Sequence, residues 1–404
     1  MDRIIIAERK GAAARIALLE EKAVREIHYF DAGSSEQANA LYLARVQTVR
    51  PALNAAFVDI GSETEAFLPL EGEKLRPGDY LIVQGFATQT NPDKRYRVSR
   101  KVQLSGRTLV YQPGRARVSV SSAIGNAADR QRLKALAERL LRQGEGVILR
   151  TAAETAAEAE IETELSAFRE EWQALQRKAE TERRPCVLRR YGFEDEIIGR
   201  FLNRPAGKVI TSDEDCYRTM LEGRAGGRFD PQTELVLTGP EEPSPGVSWG
   251  VDAAEQAALN RTLWLPCGGY LTVDYCEAMT VYDVNSGKTA SSGDEEETAF
   301  AVNLEAAAEI ASHLRLCNTG GMIVIDFIDL RLPEHRQELV RAMKRACEGD
   351  SARINVFGLT HLGLMEMTRK RSGLQLRQVK RQVCPRCKGK GTIPNERFWE
   401  GIDG

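Results

Sequence analysis

The sequence predicts a multidomain protein of the α/β plus β class, and three features carry that reading. From about residue 253 to 380, helix-like stretches alternate with apolar strand-like runs, the pattern of an α/β layer. Between residues 36 and 118, five short strand-like runs (LYLARVQTVRP, NAAFVDIG, EAFLPL, DYLIVQGFA and RTLVYQP) are broken by Gly, Pro and Asn. Short strands in that number suggest a small β-barrel, of which the OB-fold is the commonest. At 404 residues the chain can also hold two or three separate cores.

Residues 1–35 read as strands, with β-rich runs at 3–7 and 14–19 around the turn-like Lys10-Gly11 and a third ending at 28–30. Beyond the barrel, 128–141 reads as a helix, 146–151 as a strand, and 154–182, free of Gly and Pro, as one long helix. Its Ile161, Leu165, Phe168, Trp172 and Leu175 recur at alternating steps of four and three, forming one apolar stripe. Such a stripe packs on its own domain or forms a dimer seam. Residues 185–225 are mixed, and 225–250, densest in Gly and Pro, read as a connection.

Composition is ordinary, 42% hydrophobic and 28% charged, with a formal net charge of −2. The whole-molecule field therefore does not point to nucleic acid, and any such site must come from local Lys and Arg. No run approaches the ~18 apolar residues of a membrane span, and the apolar part of MDRIIIAERKG is too short for a secretory signal. A soluble, cytoplasmic protein is expected. Of eight cysteines six are scattered singly, so reduced thiols rather than a disulfide framework are expected.

The most informative stretch is GGYLTVDYCEAMTVYDVNSGKT. In an extended strand alternate residues share a face, which puts Glu277, Met279, Val281, Asp283 and Asn285 on one side. A second apolar run, GGMIVIDFIDL, ends at Asp326, with Asp329 just beyond. Two acidic strand ends and an Asn suit Mg²⁺, which takes oxygen ligands and keeps positions for water and a phosphate. Aspartates at strand ends also cap turns and helices, so the residues alone leave both readings open.

Residues 93–117 hold eight Lys or Arg (94, 95, 97, 100, 101, 107, 115 and 117) and one acid, Asp93. A cationic groove with aromatic platforms is how OB-folds hold single strands, and Phe57 and Phe67 are the candidate platforms. A Phe in a small barrel is otherwise a core residue. Cys384-Pro385-Arg386-Cys387 has metal-knuckle spacing but supplies only two thiolates of a four-coordinate zinc site. No second CxxC exists, so the economical completion is another copy of the chain. A redox pair or an unpaired knuckle are the alternatives.

Residues 263–371, with LWLPCGGYLTVDYCEAMTVYDVNSGK, EEETAFAVNLEAAAEIASHLRL, GGMIVIDFIDL and GLMEMTRKR in order, resemble the catalytic core of the ribonuclease E/G family. The resemblance implies that Asp283 and Asp326 hold a catalytic Mg²⁺, that Asn285 supports them, and that the chain is an endoribonuclease of single-stranded RNA leaving 5′-phosphate ends. It implies an S1-type OB-fold in which Phe57, Phe67 and Lys94 contact RNA, although this chain reads Lys94-Arg95-Tyr96 where the family tends to have Lys-Gly. Nor does Ser121-Ser122 carry the Arg that relatives often show after the Ser. It further implies a 5′-monophosphate pocket formed by Arg150, Thr151 and Arg353, and a zinc-link in which Cys384 and Cys387 share Zn²⁺ with a second subunit.

The implied organisation is an RNase H-like part in two segments (1–35 and an abbreviated 186–258), the OB-fold at 36–118, a 5′-sensor region at 119–185, a DNase I-like core at 259–381, and the zinc-link and tail at 382–404. Because the sequence stops 17 residues after Cys387, a homodimer rather than a larger assembly is expected. Substrates would be ribosomal or transfer RNA precursors or messages. Two rivals stand beside this reading. One is a non-catalytic RNA-binding factor in ribosome assembly; the other is a zinc-knuckle interaction protein with no RNA role.

Overall fold

The computed structural model describes residues 3–31, 38–86, 95–202, 204, 206–287, 295–371, 373–387, 389 and 391. They form four β-sheets with helices between and upon them.

The first sheet has five strands, in the order Glu234–Leu237, Lys208–Thr211, Arg3–Lys10, Ala13–Glu20, Ala23–Asp31. The three N-terminal strands form an antiparallel meander, whose second turn puts both Glu21 and Lys22 at positive φ (54° and 65°), as a two-residue hairpin of matching twist requires. The other two strands run parallel to Arg3–Lys10. Both faces are covered, which is why the run from Ile4 to Ala7 is continuously apolar. Ile5 and Ala7 pack with Phe193, Phe201 and Met220, whereas Ile4 and Ile6 pack with Val251. The Gly- and Pro-rich stretch expected as a connection thus contains a strand of this sheet, Glu234–Leu237, and a helical turn, Pro245–Ser248.

The second sheet is a nearly closed barrel with the order Ala66–Pro69, Ala55–Asp59, Leu41–Arg50, Tyr80–Gly85, Val98–Ser99. Its ends meet where the Phe67 N–H donates to the Tyr96 carbonyl (2.7 Å) and Phe67 bridges Arg97. This agrees with the OB-like expectation, with one correction. RTLVYQP is not a barrel strand: Leu109–Pro113 pairs with Glu145–Leu149 in a separate four-stranded sheet. On that sheet pack the helices Ala127–Leu140 and Glu158–Thr181. The stripe Ile161, Leu165 and Leu175 is buried against it, with Phe168 and Trp172 at the margin, so the long helix serves its own core.

The fourth sheet positions the candidate site. Its six strands lie in the order Thr262–Trp264, Tyr270–Tyr275, Met279–Asn285, Gly321–Asp326, Met365–Arg369, Ile354–Leu359. Met279–Asn285 and Gly321–Asp326 are parallel, and the crossover between them contains the helix Glu295–Leu316. That helix and Pro333–Ala346 cover one face; the other is open to water, leaving Trp264, Met322 and Phe357 70%, 50% and 66% exposed. His313, buried in the covering helix, faces the Tyr282 hydroxyl through Nδ1 (2.8 Å) and the Ala258 carbonyl through Nε2 (2.9 Å). A carbonyl only accepts, so Nε2 carries the proton and Nδ1 accepts from the tyrosine. Burial holds this imidazole below its ordinary pKa, and it is a neutral packing element.

Buried charge ties the units together. Arg15 donates to Asp252 (2.5 Å) and Glu255 (2.8 Å), and Glu255 also receives Lys380 (2.7 Å). Arg315 donates to Glu20 (3.1 Å) and Glu26 (2.6 Å) on the first sheet. Among the described residues no helix is long and apolar enough to cross a membrane.

Candidate active site

Tyr282 and Ile325 are both fully buried and lie side by side in the parallel pair. Side chains alternate along a strand, so the next residues, Asp283 and Asp326, must both face the open side. They are also direct partners in the register. Neighbouring strands lie about 4.8 Å apart, so two exposed carboxylates stand shoulder to shoulder on one surface. Asn285, two residues on, shares their face, and its Nδ2 donates to Asp283 Oδ2 (2.8 Å). Thr272, the register partner of Asp283 on the other side, points Oγ1 at the same oxygen (3.4 Å).

Like charges set directly opposite on a sheet repel each other, and a cation between them would relieve that repulsion. Two carboxylates plus an amide oxygen, open to water, match the incomplete oxygen set that Mg²⁺ takes before adding waters and a substrate phosphate. Among the described residues no group of three or more His, Cys, Asp or Glu is placed to hold a metal, and Asn285 is the only further side chain hydrogen-bonded to Asp283 from its own strand. On chemistry and placement the residues fit such an ion.

The surrounding chain fixes this corner. At Gly287 the backbone takes φ +60°, and a Cβ there would lie 2.4 Å from the Gly268 carbonyl oxygen; only glycine lets the strand leave past that loop. The segment after Asp326 is clamped by fully buried Asn303, whose amide donates to the Ile328 carbonyl (2.8 Å) and accepts its N–H (3.0 Å). Asn303 and Thr272 escaped the sequence reading. Thr272 was within reach, since folding the hairpin at residues 276–278 sets it opposite Asp283; Asn303 carries no local signal.

Phe57 and Phe67 are register partners, 6.0 Å apart between ring centroids and inclined at 71°. Both are half-buried and lie outside the barrel core. Arg95 lies 4.6 Å over the Phe57 ring. Lys94 lies outside the described residues. The basic run is split between barrel and four-stranded sheet, and several members face acids: Arg95 with Glu65 (2.6 Å), Arg100 with Glu73 (2.5 Å), Lys101 with Glu71, and Arg107 with Glu160 (2.7 Å).

Arg150 and Thr151 line a cleft of about 830 Å³ together with Arg3, Arg200, Arg204 and Arg315. The Arg150 guanidinium donates to the carbonyls of Gly106 (2.5 Å) and Gly199 (2.8 Å), and burial lowers its pKa. Thr151 Oγ1 sits 3.4 Å from the Ser121 hydroxyl. Arg353 is exposed and lines a neighbouring cavity of about 640 Å³; Ser351 and Arg200 border both. The structure thus brings Arg150 and Thr151 together and sets Arg353 next door.

Cys384 and Cys387 close a tight turn near the end of the described chain, with Cys384 exposed. The backbone N–H groups of Cys387 and Arg386, then the Cys387 side chain, hold the Cys384 thiol below its ordinary pKa. N–H groups aimed at one sulfur favour the thiolate that a metal binds.

The sequence model of the Ribonuclease E/G family matches residues 103–372. Ribonuclease G of Haemophilus influenzae is 33% identical over 402 residues, covering 94% of this chain and 82% of the relative. Ribonuclease E of Nostoc is 34% identical over 412 residues, covering 96% and 58%. Ribonuclease E of Escherichia coli K12 is 31% identical over 418 residues, covering 97% of this chain but only 39% of that longer protein. The match takes in the carboxylate pair, its Asn and nearly all of the chain, and on these grounds the protein belongs to the ribonuclease E/G family.

Proposed function

We propose that this protein is a cytoplasmic endoribonuclease that hydrolyses phosphodiester bonds in single-stranded RNA with Mg²⁺ held by Asp283 and Asp326. The observation that carries the reading is the in-register pair Asp283–Asp326 on an open sheet face, with the Asn285 amide bound to Asp283. Bound Mg²⁺ would supply charge neutralisation at the phosphoryl oxygens and a lowered pKa for attacking water.

The chain's own residues divide the rest of the work. Asp283 and Asp326 together provide the negative charge that retains the ion. Asn285 and Thr272 fix one Asp283 oxygen, which holds the carboxylate in one rotamer. Without a cation the two carboxylates repel a phosphate, so binding at this corner and the need for metal go together. Water adds to phosphorus and the bond to the 3′ oxygen breaks, leaving a 3′-hydroxyl upstream and a 5′-phosphate downstream.

The five-stranded sheet, three antiparallel strands beside two parallel ones, supports an RNase H-like reading, and the six-stranded sheet a DNase I-like one. Phe57 and Phe67 serve as stacking platforms on the S1-type barrel, with Lys94 on backbone phosphate. The cleft at Arg150 and Thr151, with Arg353 beside it, receives a 5′-monophosphate that stimulates cutting. Cys384 and Cys387 share Zn²⁺ with the same pair of a second subunit and make a homodimer.

The deciding experiment is end-mapping of a short A/U-rich strand incubated with Mg²⁺ or with EDTA, using wild type and Asp283→Asn. Mg²⁺-dependent fragments with 5′-phosphates, lost in the variant, are expected. RNA binding with no cutting in Mg²⁺ would sink the reading in favour of the non-catalytic binding factor.

A further inference from the structure

The open face carries an aromatic pair that the catalytic reading leaves unused. Trp264 and Tyr270 are register partners, and Tyr270 is in turn the partner of Asn285. Trp264, Tyr270 and Asn285 therefore form one row across three strands, next to the row Thr262, Thr272, Asp283 and Asp326. Two residues along a strand are about 7 Å and two strand spacings about 10 Å, so the indole stands within reach of a nucleotide adjoining one bound at the carboxylates. The parity that turns Leu263 and Leu271 into the core turns this pair out. The rings lie 5.4 Å apart, tilted by 54°, with Trp264 70% exposed.

An exposed indole backed by a second ring offers a flat apolar surface that an occupant can cover. Two other apolar residues of this face are exposed: Met322, which pairs with Met279 at the far end, four residues along from Asp283 and Asp326, and Phe357, on the edge strand opposite that of Trp264. A protein partner covering all three would also have to bury acids. This face carries Asp274, Asp283, Asp326 and Glu366, and Arg261 is engaged by Asp274 (2.7 Å). The same acids repel every RNA phosphate except one held through a cation. A neighbouring nucleotide must then be gripped by its base, and an open aromatic face on a sheet is the usual grip for an unpaired base.

We propose that Trp264, backed by Tyr270, is a stacking subsite for the base of a nucleotide flanking the scissile phosphate. This rests on the nuclease reading of Asp283 and Asp326 and adds a positioning residue to it.

The test compares wild type, Trp264→Ala and Trp264→Phe on one short single strand and on a set of strands made abasic at each position flanking the cut. Trp264→Ala should lower kcat/KM roughly 5- to 150-fold, mainly through KM, and Trp264→Phe should keep most of the activity. On the strand abasic at the stacked position wild type and Trp264→Ala should become equal. No loss in Trp264→Ala, or the same loss on every abasic strand, overturns the subsite. A change in sedimentation on Trp264→Ala also overturns it, by making the pair a contact between copies. Should wild type bind the strand without cutting it, the nuclease reading falls, and the Kd of wild type against Trp264→Ala still decides the stacking: equal values refute it.

Discussion

Glu26→Gln removes the charge at the hub that joins the first sheet to the catalytic unit. Glu26, 3% exposed, receives Arg315 Nε (2.6 Å), His28 Nε2 (3.2 Å) and the Ser351 hydroxyl (3.2 Å). Burial alone would raise its pKa; the His28 hydrogen bond and the Arg315 charge more than reverse this, bringing it from 4.5 down to about 2. At about 1.4 kcal/mol per pH unit, that depression contributes about 3 kcal/mol at neutral pH. The figure agrees with the roughly 3–5 kcal/mol lost when one partner of a buried pair is removed. The folded-state pKa lies below the unfolded one, so the contribution is complete above about pH 4.5 and drains away as the pH falls toward 2. His28, also depressed, mainly by burial, acts in the same sense, starting as the pH drops below 6.5. Urea denaturation of wild type and Glu26→Gln should therefore show a gap of about 3 kcal/mol at pH 7 that narrows markedly near pH 3. A gap that stays constant down to pH 3 would refute an ionised Glu26 as the source. Ser351, which donates to Glu26, belongs to the loop that carries Arg353, so the same change should also disturb the proposed 5′-phosphate pocket.

Two further perturbations address the proposed RNA and zinc sites. Arg150→Lys removes a planar fork that bonds two carbonyls, which an ammonium cannot copy, and should cost about 1–3 kcal/mol of stability. It should also abolish the faster cleavage of 5′-monophosphorylated over 5′-hydroxyl RNA; equal wild-type rates on the two would dismiss the pocket. Cys384→Ser, or zinc chelation, should halve the mass in sedimentation equilibrium, and a dimer that survives both would remove the shared site.

The sequence carried the local half of the catalytic corner and not the long-range half. Period-two alternation places Asp283 and Asn285 on one face because that depends only on the strand they share. That Asp326 stands opposite Asp283 depends on the register of a parallel pair joined through a helix of 22 residues, which no local pattern encodes. The same limit explains RTLVYQP. Its strand character was legible, but a short apolar run does not name its partner, and it went to Glu145–Leu149 instead of the barrel. The strand Glu234–Leu237 was hidden between Asp-Pro and Gly-Pro, where the turn chemistry on either side drowns a four-residue signal. Trp264 was passed over because exposure of an aromatic residue is decided by its neighbours across the sheet.

The acids of this protein fall into two physical classes, and that division predicts what each substitution does. Glu26 is buried, hydrogen-bonded on both oxygens and strongly shifted, so the fold depends on its charge. Asp283 and Asp326 face water, where two charges about 5 Å apart repel by only about 1 kcal/mol. The fold can therefore keep them side by side with no cation present, and removing one charge should slightly relieve the sheet. Asp283→Asn is then expected to lose cleavage while unfolding at the same or a slightly higher urea concentration than wild type, read by the same denaturation assay. A variant that lost both activity and stability would mean that the pair had been conserving the fold and would withdraw the case for a cation site at this corner.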